Sequence, residues 1–165
     1  MKAIIAFAAC ATAALLAGCA SFDGSSLVAG KSTAAEVESL MGAPAERLEQ
    51  ANGERVWFYP RLRETFAVVL HSNGTVKAVE PRRLQANLAR LQAGKSTSKD
   101  VRALFGPPQQ VSRLDRQQRE IWEYLYTHYQ EYRVIWFQFS ADGVMRETLD
   151  MIDYPSYPGD TPGGI

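Results

Sequence analysis

The sequence predicts an α+β protein made of two tandem repeats, each a helix or helix pair followed by a three-stranded antiparallel meander. Three observations carry this. Leu27–Pro44 returns as Leu91–Pro108 at a fixed offset of 64, with ten of eighteen positions identical. The match continues, with small insertions, from Trp57-x-Tyr59 to Trp122-x-Tyr124 and from Phe66-x-Val68-x-Leu70 to Ile135-x-Phe137-x-Phe139. In each copy the apolar period changes from helical to alternating and closes on Asn73-Gly74 or Asp142-Gly143.

The helices come first. Thr33 with Glu36, and Thr97 with Asp100, have capping-box spacing, so each side chain can satisfy N–H groups that the first helical turn leaves free. The acids also suit the positive end of the helix dipole. Val37, Leu40 and Met41 recur at i, i+3 and i+4, as do Val101, Leu104 and Phe105, giving each short helix one apolar face. Gly42 and Gly106 fit a left-handed C′ position, and Pro44, Pro107 and Pro108 block continuation. Before the second copy, Pro81 can open a linker helix carrying Leu84, Leu88 and Leu91, stopped by Gly94. The first copy has only Ser25–Ala29 there, so its preceding helix is a stub or absent.

Strands follow. Val56–Tyr59 and Ile121–His128 are rich in aromatic and β-branched residues. Thr65–His71 alternates, with Phe66, Val68 and Leu70 on one face, and Asn73-Gly74 turns it into Val76–Val79. Asp142-Gly143 does the same after Phe139, and both dipeptides favour the primed turns of tight hairpins.

The N-terminus reads as an address. Lys2 is followed by sixteen apolar and small residues, Ala3–Gly18, too few to span a membrane comfortably but suited to a secretory leader. They end in Leu16-Ala17-Gly18-Cys19, which resembles a bacterial lipobox. Cleavage before Cys19 leaves 147 residues, with that cysteine acylated (palmitate among its chains) and no second cysteine for a disulfide. Each buried CH₂ is worth about 0.8 kcal/mol, so several acyl chains anchor almost irreversibly. Ala20 in place of aspartate favours onward transfer to the outer membrane in the pathway this resembles. The expected organisation is a signal peptide at 1–18, a tether at 19–26, repeat one at 27–80, a linker helix with repeat two at 81–153, and a flexible tail at 154–165, where Pro155, Pro158 and Pro162 leave no period.

Composition removes whole classes of function. Eighteen basic residues balance eighteen acidic ones, and no basic run marks a nucleic-acid surface. Two cysteines and two histidines do not form a zinc set, so no metal is expected. Gly30-Lys31-Ser32-Thr33 and Gly94-Lys95-Ser96-Thr97 mimic the end of a phosphate-binding loop, but Ser25 and Ala89 stand where its first glycine belongs. They read as helix caps, and no nucleotide is expected. His71 ends a strand beside a turn, His128 ends an aromatic strand, and no Gly-x-Ser-x-Gly occurs, so the chain reads as not an enzyme.

The order of helix, Gly-x-Pro, Trp-x-Tyr, alternating strand, Asn/Asp-Gly turn and strand resembles the SmpA/OmlA (BamE-like) family of outer-membrane lipoproteins. It runs through Gly30, Thr33, Val37, Leu40, Gly42, Pro44, Trp57, Tyr59, Phe66, Val68, Leu70 and Gly74, and again from Gly94 to Gly143. The resemblance implies an accessory of the β-barrel assembly machinery, although the family member in that machinery has one copy and this chain two. The duplication is also similar to the repeat fold of secreted β-lactamase inhibitor proteins, which bind an enzyme across a concave sheet.

Candidate contacts lie in the aromatic excess of the second copy. Trp122, Tyr124 and Tyr126 share one face of their strand, and Tyr132, Val134 and Trp136 line the face of the next strand opposite Ile135, Phe137 and Phe139. A strand apolar on both faces either cements the repeats together or recognises a partner. Arg82, Arg83 and Arg90 on the linker helix either meet anionic lipid headgroups or solvate an exposed face. These features imply a lipoprotein tethered to the outer membrane at Cys19 and facing the periplasm, without a cofactor beyond that lipid. Its expected role is a protein-binding module accessory to outer-membrane protein assembly or envelope integrity, with envelope proteins such as the barrel-assembly machinery as partners. The alternatives are an inhibitor or sensor that binds a periplasmic enzyme by its sheet face, and an anionic-lipid-binding module.

Overall fold

The structure, a computed structural model, describes residues 23–154. The leader 1–18, the lipidation position Cys19, the start of the tether and residues 155–165 lie outside the described residues. Among the described residues no helix is long and apolar enough to cross a membrane.

The first unit holds α1 (Ala34–Met41) and strands β1 (Glu46–Glu49), β2 (Arg55–Pro60), β3 (Thr65–Leu70) and β4 (Val76–Pro81). The second holds α2 (Gln85–Leu88), α3 (Ser98–Phe105), β5 (Gln110–Leu114), β6 (Arg119–His128), β7 (Glu131–Ser140) and β8 (Met145–Ile152). Each unit folds its strands into a four-stranded antiparallel sheet in sequence order, β1-β2-β3-β4 and β5-β6-β7-β8. The expected meanders are therefore one strand too short. The additional strands read Glu-Arg-Leu-Glu and Gln-Val-Ser-Arg-Leu, and such polar edge strands have no apolar signature to detect.

Both capping boxes form: the hydroxyls of Thr33 and Thr97 accept from the backbone N–H of Glu36 and Asp100, whose carboxylates accept from the threonine N–H. Gly42 and Gly106 close α1 and α3 at positive φ, 82° and 78°, but with extended ψ, −170° and −163°. This is not the left-handed helical cap expected, but a region essentially closed to any other residue.

Two further expectations are corrected. Pro81 ends β4 instead of opening a helix, and the linker helix shrinks to the four residues of α2. The Asn-Gly and Asp-Gly turns are not primed. In His71–Gly74 and Ser140–Gly143, closed by N–H donation from each glycine to the first residue's carbonyl, only the glycines take positive φ. A register shift at Val69/Leu70, and at Gln138/Phe139, absorbs the extra residue.

α1 covers one face of the first sheet, packing Val37 and Met41 on Trp57, Tyr59, Val68, Leu70 and Val76. α3 covers the matching face of the second with Val101 and Phe105. The far face of the first sheet is also buried: Phe58 and Ala67 are 0% exposed. What meets it comes from the second unit. Gly106 lies against Phe58 and Thr65, and Arg102 of α3 donates to Glu46 at 3.1 Å. The two repeats thus share an interface, as expected for small units without disulfides.

Candidate functional site

The second sheet has the same two faces, and among the described residues only one of them is covered by a helix. On the helix side, Trp122, Tyr124 and Tyr126 pack among Ile135, Phe137, Phe139 and Met145. Phe105 of α3 meets Tyr124 and Phe137 edge-on, with ring centroids 5.4 and 5.2 Å apart. Tyr124 donates to the Gly106 carbonyl at 2.9 Å, and Tyr126 donates to Asp150 at 2.8 Å. These three aromatics are core beneath a helix and leave no ring for a partner. The strand's period left them open between the repeat interface and a partner because it cannot say which face the helix covers; they are the core of their own unit.

Opposite them lie Ile121 and Leu125 of β6, Val134 and Trp136 of β7, and Leu149 and Met151 of β8, cross-strand neighbours that are all only half-buried. With Leu114, which is exposed, they make an apolar sheet face that no helix among the described residues covers. A groove of about 470 Å³ runs over it, lined by Gln110, Ser112, Leu114, Ile121, Glu123, Trp136, Gln138 and Leu149. Phe58, which with Thr65 seats Gly106 in the first sheet, pairs with Ala67, and that pair corresponds here to Glu123–Trp136. The Trp136 indole N–H donates to the Glu123 carboxylate at 2.8 Å, so a large ring and a polar pair stand where the first sheet receives a helix end.

Tyr132 is divided between the two expected roles. The residue is 50% exposed, yet the Arg63 guanidinium of the first unit lies 4.2 Å over its ring and also donates to Asp153 at 2.6 Å. Between β6 and β7 the chain turns on Tyr129 and Gln130, both at positive φ, 46° and 69°. This two-residue connection belongs to the primed class that Asn-Gly favours, with neither asparagine nor glycine in it. Tyr129 is 89% exposed, its ring tilted at 57° against His128 with centroids 4.2 Å apart. Sequence reasoning missed this turn. The available signal was the offset between the copies, which rises from 65 at Trp57/Trp122 to 69 at Phe66/Ile135 and so places four extra residues there.

The three arginines separate as well. Arg83 is 4% exposed, and its Nη1 donates to the carbonyls of Leu62 and Leu125, both at 3.1 Å, and of Arg61 at 3.3 Å. It ties the units together and cannot reach a headgroup. Burial lowers the pKa of Arg83, and of Arg82, which pairs with Glu80 at 3.0 Å. Arg90 is exposed and donates to Asn87 at 3.4 Å. Of the three arginines of the expected basic patch, Arg90 is thus the exposed one.

No protein-family profile matches the chain, and no curated protein sequence matches it significantly. Among solved structures it is similar to YjgB, a DUF4309 family protein from Bacillus subtilis, at 15% identity over 78% of this chain and 84% of that one, with a TM-score of 0.31. It is also similar to a candidate β-lactamase inhibitor protein from Streptococcus mutans, at 11% identity over 73% of this chain and 82% of that one, with a TM-score of 0.32. No residue role is transferred from either.

Proposed function

We propose that the chain is a non-enzymatic protein-binding module, held at the outer membrane by lipid on Cys19 and facing the periplasm. We read it as an accessory to outer-membrane protein assembly or envelope integrity. The observation that carries the binding role is the uncovered apolar face around Trp136. The equivalent face of the first sheet is buried by the second unit, and apolar surface left open on a compact protein is a favoured place for a partner. Tethering adds to affinity by confining the face to the plane of membrane-bound partners, which raises its effective concentration there.

A second reading is an inhibitor or sensor that engages a periplasmic enzyme. It is favoured by the Tyr129–Gln130 turn, where an exposed aromatic ring is held in a costly backbone conformation.

One experiment separates them. The full-length chain is expressed in a Gram-negative bacterium, cross-linked gently and purified from separated membranes beside Cys19→Ser and Trp136→Ala forms. Recovery of barrel-assembly subunits that requires Cys19 and weakens in Trp136→Ala supports the accessory role. Recovery of a soluble periplasmic enzyme equally well without lipid replaces it with the inhibitor reading. Capture insensitive to Trp136 removes the sheet face from both.

A further inference from the structure

The two sheets have four edge strands, and three of them are guarded. Outer edges of β4 and β8 are bonded where they begin: Gly30 N–H donates to the Val76 carbonyl and Val76 N–H to Ser32, while Gly94 N–H donates to Met145 and Met145 N–H to Ser96. Both strands are also bulged against their neighbours. β1 has only four residues, two of them half-buried, and its Arg47 is tied across to Glu38 of α1. Among the described residues β5 has no bulge, no proline and no outer-edge bond, and its one charge, Arg113, is drawn back to Glu120 of β6. All five of its residues are exposed, and its pairing to β6 is regular from Gln110↔Glu123 to Leu114↔Arg119. Short edges, bulges, prolines and covering segments are how natural sheets avoid unwanted pairing, so an edge without them is a template for another strand.

That edge borders the groove. Gln110, Ser112 and Leu114 point to the same side as Trp136, and all four line it. We propose that β5 is a strand-addition site for an extended polypeptide with apolar side chains at alternate positions. The proposal rests on the reading of the second sheet as the protein-binding surface and names the form in which the partner binds. Main-chain hydrogen bonds to β5 would supply sequence-tolerant affinity, and every second side chain would fall on the groove side, beside Leu114 and towards Trp136. A second copy fits less well. Two five-residue edges paired about a two-fold axis cover a few hundred Å², short of the roughly 800 Å² per partner of a stable complex, whereas a peptide uses edge and groove together.

The test uses purified full-length protein and a defined probe: an acetylated ten-residue peptide alternating valine or phenylalanine with serine or threonine. Its control is the same peptide N-methylated at every second amide, which removes the donors of one edge without touching the side chains. The expected result is slowed amide exchange across 110–114 and not at β1, β4 or β8. Binding should weaken at least tenfold for the N-methylated peptide, and likewise for Val111→Pro, which removes an outward-facing N–H of β5, with the methylated peptide deciding alone if that variant fails to fold. Equal binding of both peptides, with loss in Trp136→Ala, would overturn strand addition and leave a side-chain recognition face. Protection at another edge, or concentration-dependent dimers abolished by Val111→Pro, would also overturn it. No binding of either peptide while the cross-linking experiment still captures a Trp136-dependent partner sinks this proposal alone; failure of both removes the binding surface as well.

Discussion

Gly106 and Phe58 meet so closely that a Cβ placed on the glycine would stand 2.9 Å from Phe58 Cδ1, and as close to Thr65 Cγ2. Gly42, the corresponding residue of the first unit, has nothing within 4 Å of the same point. The backbone requirement is shared, since both sit at positive φ with extended ψ. Gly42→Ala therefore isolates the strain, about 1–3 kcal/mol. Gly106→Ala adds the overpacking of a closed interface, about 1–3 kcal/mol more. Urea unfolding of the two variants should show this difference, and equal losses would mean that the units do not pack as described.

Arg83 supports the same junction by hydrogen bonding. It joins the Leu62 carbonyl of the first unit to the Leu125 carbonyl of the second through one nitrogen. Arg83→Leu keeps much of the bulk and leaves those carbonyls without their charged donor, at a cost of about 2–4 kcal/mol. Arg90→Ala, on an exposed side chain, should stay within about 0.5 kcal/mol. Thermal denaturation of the pair checks this. A near-neutral Arg83→Leu would remove the tie.

The repeat, both capping boxes and the positions of six strands were legible because each depends on local chemistry: a threonine three residues before an acid, or an apolar period. β1 and β5 were not, since Glu46–Glu49 and Gln110–Leu114 are held by their neighbours' backbone and bury little of their own. Faces of strands were legible and their occupants were not. Trp122 and Trp136 look alike in sequence, and only the placement of α3 makes one core and the other surface. Arg83 failed for the converse reason. An arginine beside two others reads as solvated until the carbonyls that surround it come from segments 20 and 40 residues away.

Alkaline pH should loosen the protein in a defined window. Burial pushes the Tyr59 and Tyr126 phenols up to about 12 from an ordinary 10, aided at Tyr126 by its bond to Asp150, and raises Tyr124 further still. Above pH 10 the unfolded chain releases these protons while the folded chain retains them. Stability is thus intact below pH 10 and falls as the pH rises from 10 towards 12. Tyrosinate absorbance and unfolding should move together there. Tyr126→Phe, weaker by about 1 kcal/mol at neutral pH for its lost hydrogen bond, should lose less than the parent between pH 10 and 11.

The Tyr129–Gln130 turn gives the sharpest separation of stability from binding. Two side-chain-bearing residues at positive φ each cost about 1 kcal/mol relative to residues that adopt that region freely, and a two-residue hairpin accepts asparagine and glycine there without other change. Tyr129→Asn combined with Gln130→Gly should therefore stabilise the chain by about 1–2 kcal/mol, or roughly 2–8 °C in Tm at this size. The strands below should not alter, because Tyr126 and Arg133 both remain bonded to Asp150 and the Asp153 N–H to Tyr132. If the exposed ring is a contact, the same variant should bind its cross-linked partner at least tenfold more weakly while melting higher. A variant that melts higher and binds unchanged would remove the turn from the recognition surface and, with it, the observation that favours the inhibitor reading. One that melts lower would show that Tyr129 stabilises the hairpin, most directly by its ring contact with His128.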